Sequence, residues 1–145
     1  MKTILIALDP SIFSYGLRQI IATMPQATRI ETADTLDAAM TLLDTQGFDL
    51  FITDLHPEIF GPVREKCPGI RVMIYTAADE KTFAIDYLLA GADGYLSKSA
   101  KKEEMEYAVK TVLNGEKYMS AMVRQEMLDQ LWQKRRADRK GMGIY

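Results

Sequence analysis

Three apolar runs, "TILIAL" (3–8), "LFIT" (50–53) and "RVMIYT" (71–76), constrain this chain more than any other feature. None alternates between apolar and polar positions, so a strand made from any of them is buried on both faces, as in a parallel sheet covered by helices. "RIETA" (29–33) and "GYLS" (94–97) supply two further strands. Between the runs the apolar spacing lengthens to that of a helix. Ile12, Phe13, Leu17, Ile20, Ile21 and Met24 form one face in 11–24, which Pro25 stops. Leu36, Ala39, Met40 and Leu43 form another in 35–46, with Asp34 as the expected N-cap and Gly47 at its end. A short third helix fits around "GPVREKC" (61–67), between the start tolerated at Pro62 and the stop at Pro68. The next runs from Glu80 to Ala90, closed by Gly91, with Phe83, Tyr87 and Leu88 inward. A fifth spans 101–113, with Met105, Ala108, Val109 and Val112 on one side and Gly115 beyond. The order is strand then helix, five times over, which predicts a five-stranded parallel sheet wrapped on both faces.

A chain of 145 residues, 48% apolar and 26% charged, is long enough to bury one substantial core. The N-terminus "MKTILIALDP" meets an acid at Asp9, too soon for a signal peptide or a membrane span, so a cytoplasmic location with no membrane partner is the expectation. Cys67 is the one cysteine and His56 the one histidine, which excludes a Cys/His zinc site and an internal disulfide. Charge is unevenly spread. "KRRADRK" (134–140) holds five basic residues and one acid; without it the 18 basic and 20 acidic residues fall to 13 and 19, a balance of −6. Such a run is either a contact for nucleic acid or an acidic partner, or a solvated helix end.

Ligands on open parallel sheets collect at the carboxyl ends of the strands. Asp9 follows the first strand, Asp54 ends the third, Thr76 ends the fourth and Lys98 follows the fifth. Each has a dull reading as a cap or strand-end residue, but together they bring two acids, a hydroxyl and an amine to one edge. Two neighbouring carboxylates repel unless a cation lies between them, and Mg²⁺ accepts a few carboxylates plus waters. Asp54 then suits the part of an oxygen nucleophile toward a phosphoryl donor, with Thr76 hydrogen-bonding one phosphoryl oxygen and Lys98 neutralising another.

These residues resemble the receiver domain of two-component response regulators, of the NarL/LuxR type, over about residues 1–115. "ILIALDP", "FITDL", "VMIYTAAD" and "AGADGYLSKSA" carry the resemblance. It implies a flavodoxin-like (βα)5 doubly wound parallel sheet, and a phosphoacceptor at Asp54 served by a histidine kinase. It also implies a Mg²⁺ site from Asp9, Asp54 and the backbone carbonyl of His56, and a phosphoryl-binding and switch set of Thr76, Ala77, Lys98 and Tyr95. Such a domain assists its own phosphoryl transfer and is otherwise no enzyme. On this reading the Thr76 hydroxyl moves toward the phosphoryl group and Tyr95 rotates into the space it leaves. The signal then leaves through the fourth helix, fifth strand and fifth helix, about 80–114.

Two positions depart from the family's pattern. Leu8 stands where the first of two acids is usual, which is expected to weaken Mg²⁺ binding, and the span from Asp54 to Thr76 is shortened at the third helix. Leu8 and that clipped helix support a second reading, a degenerate receiver acting as a phosphorylation-independent interaction module. A nucleotide-binding enzyme of similar fold is disfavoured because "DPSIFSYG" lacks the spacing of a Gly-rich phosphate loop.

The expected division is a receiver domain at 1–117 and a linker helix with a basic tail at 118–145. In 120–140, Met122, Val123, Met127, Leu128, Leu131 and Trp132 lie close to a helical stripe. That helix is read either as a dimerising or signalling helix anchored by Trp132, or as a linker packed on its own receiver. A homodimer is accordingly expected either through the 80–114 surface or through this helix. The resemblance implies a helix-turn-helix effector domain, and none follows before "GMGIY", so truncation is the expectation and DNA a partner only through that absent domain.

Overall fold

A computed structural model describes residues 2–141. Five strands alternate with five helices, and a sixth helix follows: β1 (Lys2–Ala7), α1 (Ile12–Ala22), β2 (Ala27–Ala33), α2 (Leu36–Thr45), β3 (Leu50–Thr53), α3 (Phe60–Lys66), β4 (Arg71–Thr76), α4 (Glu80–Ala90), β5 (Gly94–Ser97), α5 (Lys102–Leu113) and α6 (Ala121–Gly141). The sheet order is β2-β1-β3-β4-β5 with every neighbouring pair parallel. This is the flavodoxin-like doubly wound sheet that the sequence predicts, with its strand order reversing between β1 and β3.

The unbroken apolar runs follow from burial on both faces. Ile4, Ile6 and Leu8 share one apolar cluster with Leu17 and Ile21 of α1 and with Ala108, Val109 and Val112 of α5. Leu5 and Ala7, the alternate residues of β1, share the opposite cluster with α2, α3 and α4. Val123 of α6 is buried in that second cluster, so α6 is anchored to the sheet's α4 side. Between β3 and β4 the crossover is made by α3, only seven residues long, and cations in its last turn suit the helix dipole there.

Several local expectations are corrected. Thr35, not Asp34, caps α2, because the helix begins at Leu36 and the amide in reach is that of Ala38, which donates to Thr35 Oγ1 at 3.1 Å. Ile12 is 80% exposed and Phe13 is also exposed. Both lie in the first turn of α1, which starts beyond the carboxyl end of β1 and has no sheet beneath it. In α4, Phe83 is exposed and the small Ala84 is buried in its place, beside Tyr87 and Leu88.

The chain after α5 adds a contact that no apolar run announces. Tyr118 forms a parallel bridge with Gly94 at the free edge of β5; its N–H donates to the Asp93 carbonyl at 2.9 Å, and the Tyr118 carbonyl accepts the Tyr95 N–H at 3.1 Å. The edge of the sheet is thus covered by the linker into α6.

Candidate functional site

Asp54 is the first residue after β3 and is half-buried at the carboxyl edge of the sheet. Its Oδ1 accepts the Leu55 N–H at 2.7 Å and its Oδ2 accepts from Lys98 Nζ at 3.2 Å. Burial pushes the Asp54 carboxyl up. The Thr76 hydroxyl, the Leu55 N–H and the Lys98 ammonium together outweigh that and hold it below the ordinary carboxylate value. Asp54 is therefore a carboxylate at neutral pH, partly desolvated and facing a cation.

Lys98 is aimed by its own backbone. Its N–H donates to the Thr76 carbonyl at 2.9 Å, which ties the loop after β5 to the end of β4. Its ammonium lies 5.7 Å from the centre of the Phe13 ring and 5.9 Å from that of Tyr75. Two aromatic faces at such distances favour a cation between them. Neither ring is recognisable as a site residue from sequence, since Phe13 reads as core on helical period and Tyr75 as one more apolar strand position.

Thr76 is buried at the last position of β4, and its Oγ1 accepts the Ala78 N–H at 3.2 Å. Ala77 is exposed beside it. Tyr95 is 1% exposed, so its ring already lies inside the protein, and its hydroxyl donates to the Ala78 carbonyl at 3.3 Å. Burial, and then the carboxylates of Glu80, Asp54 and Asp79, push that phenol up to about 12. Ala78 therefore links Thr76 and Tyr95, its N–H engaged by one and its carbonyl by the other.

Asp9 lies exposed two residues past β1, whose last residue, Ala7, pairs with Thr53 just before Asp54. His56 is half-buried in the loop after Asp54, and its carbonyl accepts the Ile59 N–H at 3.2 Å, with a second lone pair in hand. Leu8, by contrast, is 6% exposed and faces the core. Among the described residues no group of three or more His, Cys, Asp or Glu converges as a metal centre. Two carboxylates at the ends of neighbouring strands and one carbonyl still suit Mg²⁺, which binds through one or two carboxylates and keeps several waters. The donor set fits that ion with one protein ligand fewer than an acid pair would give.

One buried polar atom in this neighbourhood has no hydrogen-bond partner among the described residues, Thr53 Oγ1, immediately before Asp54.

A family model described as response regulator receiver domain matches residues 4–110. The chain is 32% identical over 127 residues to the glycerol metabolism activator of Pseudomonas putida, covering 82% of this chain and 57% of that protein. It is 26% identical to the response regulator GacA of Pseudomonas aeruginosa, covering 88% of this chain and 62% of the relative. The chain thus spans only about three fifths of these curated relatives. Among solved structures, a LuxR-family two-component response regulator from an Aurantimonas species superposes with a TM-score of 0.77 at 26% identity, covering 90% of this chain and 97% of that one. A LuxR-family DNA-binding response regulator from Silicibacter pomeroyi shares the fold, with a TM-score of 0.75 at 22% identity, covering 84% of this chain and 99% of the other.

Proposed function

The chain belongs to the response regulator receiver domain family, and on that premise we propose that it accepts a phosphoryl group on Asp54 from the phosphohistidine of a histidine kinase. The observation that carries the reading is the pairing of an ionised, half-buried Asp54 with Lys98 at 3.2 Å, on an edge where Thr76 ends the neighbouring strand.

In the step itself, one carboxylate oxygen of Asp54 attacks phosphorus, the bond from phosphorus to the donor's imidazole nitrogen breaks, and its electron pair stays on that nitrogen. The lowered pKa keeps the nucleophile ionised. Lys98, now on Oδ2, follows the charge onto a phosphoryl oxygen, and the Thr76 hydroxyl donates to another. Ala77 adds no bulk at the approach. Asp9, Asp54 and the His56 carbonyl would hold Mg²⁺, which neutralises charge on the transferring group. Turning Thr76 toward the phosphoryl group takes its oxygen from the Ala78 N–H, and Tyr95 responds through the Ala78 carbonyl.

The chain divides on this reading into a receiver, 1–117, and a linker helix with a basic tail, 118–145, of which 142–145 lie outside the described residues. It turns over no substrate beyond its own phosphorylation and dephosphorylation. Self-association, through α4-β5-α5 or through α6, is part of the output. Transcription is regulated through a helix-turn-helix domain that these residues do not include. Among the described residues no helix is long and apolar enough to cross a membrane, which is consistent with action in the cytoplasm.

Intact mass after incubation with acetyl phosphate and Mg²⁺ tests the proposal. A gain of about 80 Da, the mass of one transferred PO₃H unit, is expected for the native chain, and none for Asp54→Asn or without metal. A specific observation favours a second reading. Leu8 is buried where an acid would serve the metal, and a chain that gains no mass and ignores beryllofluoride is a phosphorylation-independent interaction module.

A further inference from the structure

α6 is 21 residues long, and its two sides differ. One side is committed to the receiver: Val123 is buried, Met127 packs on the same cluster, and Ser120 Oγ donates to Glu80 Oε2 at 3.0 Å just before the helix starts. The face next to it carries Arg124, Leu128, Leu131, Arg135 and Asp138, spaced four, three, four and three residues apart, all exposed. That spacing is the seam of a two-helix coiled coil, here with two leucines at its centre and charges at its ends. The leucines also form one wall of an open apolar groove of about 550 Å³ whose other wall is α4, where Leu89 is 73% exposed.

We propose that this seam is the interface for a second copy of the chain, with the two α6 helices antiparallel and related by a two-fold axis near Leu131. Charge selects both occupant and direction. Packed in parallel, the seam sets Arg124 on Arg124, Arg135 on Arg135 and Asp138 on Asp138. Packed antiparallel about Leu131, it sets Arg124 of each copy beside Asp138 of the partner subunit, twice over, closes Leu131 on its own copy, and lays the stem of each Arg135 along the partner's Leu128. An isologous contact of this kind closes at two copies. The α4-β5-α5 alternative is less open, because the linker covers the β5 edge through Tyr118 and α6 packs on α4.

This deepens the self-association in the reading above without resting on phosphoryl transfer. Its test uses no phosphodonor, so failure here leaves the mass assay untouched. Sedimentation equilibrium of the full chain at micromolar concentration is expected to give about twice the monomer mass. Leu131→Glu, an exposed position whose fold is checked by circular dichroism, is expected to return it to monomer. Arg124→Asp alone is expected to weaken the dimer about tenfold or more, and Arg124→Asp with Asp138→Arg to restore it. Direction is read in a Cys67→Ser background by mixing an Arg124→Cys chain with an Asp138→Cys chain. Cross-links between the two chains support the proposal, whereas 124-to-124 and 138-to-138 products overturn it. A native chain that stays monomeric, or a dimer indifferent to Leu131→Glu, overturns it too.

Discussion

Leu8 packs in the same apolar cluster as Leu17 and Ile21, one residue before the exposed Asp9. The polypeptide therefore turns one side chain into the core and the next to the edge, and an acid at position 8 would meet both environments. Leu8→Asp is expected to tighten Mg²⁺ binding, because one added unit charge near a partly exposed ion is worth about 1 kcal/mol, roughly fivefold in affinity. The same change buries a carboxylate and is expected to cost about 2 kcal/mol of stability. Leu8→Asn separates the two effects, losing stability without gaining affinity. Calorimetric titration with Mg²⁺ beside urea denaturation of all three chains reads both. Equal affinity in the native and Leu8→Asp chains would mean that this position does not face the ion.

At the scale of elements, glycines fix two turns and predict opposite signs for the same substitution. Gly91 ends α4 with φ of +128°, and a Cβ there would lie 2.6 Å from Arg64 Nη1. Arg64 can swing away but the backbone cannot, so Gly91→Ala is expected to destabilise by about 1–2 kcal/mol. Gly16 sits inside α1 with nothing within 4 Å of a built Cβ, and Gly16→Ala is expected to stabilise by about 0.5–1 kcal/mol. Urea midpoints of the two variants that moved in the same direction would contradict this account. The Gly91 stop is also why β4, α4 and β5 are legible in the sequence to the residue, since unbroken apolar runs and a terminating glycine bound all three. Asp54, Thr76 and Lys98 are legible for a related reason, as polar residues at the carboxyl ends of the β3, β4 and β5 runs. Periodicity fails where burial depends on what lies beneath a helix. Ile12 and Phe13 keep the spacing of a core face but project past the sheet, and that displacement brings Phe13 to Lys98. It also has no access to backbone pairing, so Tyr118 on the β5 edge leaves no mark in the apolar pattern.

Across the whole molecule, contacts run in sequence from Asp54 to α6. The Thr76 hydroxyl helps hold the Asp54 carboxylate and accepts the Ala78 N–H; the Ala78 carbonyl accepts the Tyr95 hydroxyl; the Tyr95 N–H reaches the Tyr118 carbonyl; and Tyr118 leads directly into the helix anchored by Val123. A ligand on Asp54 can shift α6 only through a difference in the contacts it makes in two states of this series. The link that changes first is the Thr76–Ala78 hydrogen bond, since turning the Thr76 hydroxyl to donate to a phosphoryl oxygen carries its oxygen away from the Ala78 N–H. Hydrogen exchange with and without beryllofluoride and Mg²⁺ is therefore expected to show faster exchange at the Ala78 amide, together with altered protection across residues 117–127. Tyr95→Phe removes only the hydroxyl that joins the two halves of the series. In that variant the Ala78 response should persist while the response at 117–127 falls away. An α6 response unchanged by Tyr95→Phe would route the coupling through α4 instead, where Ser120 meets Glu80.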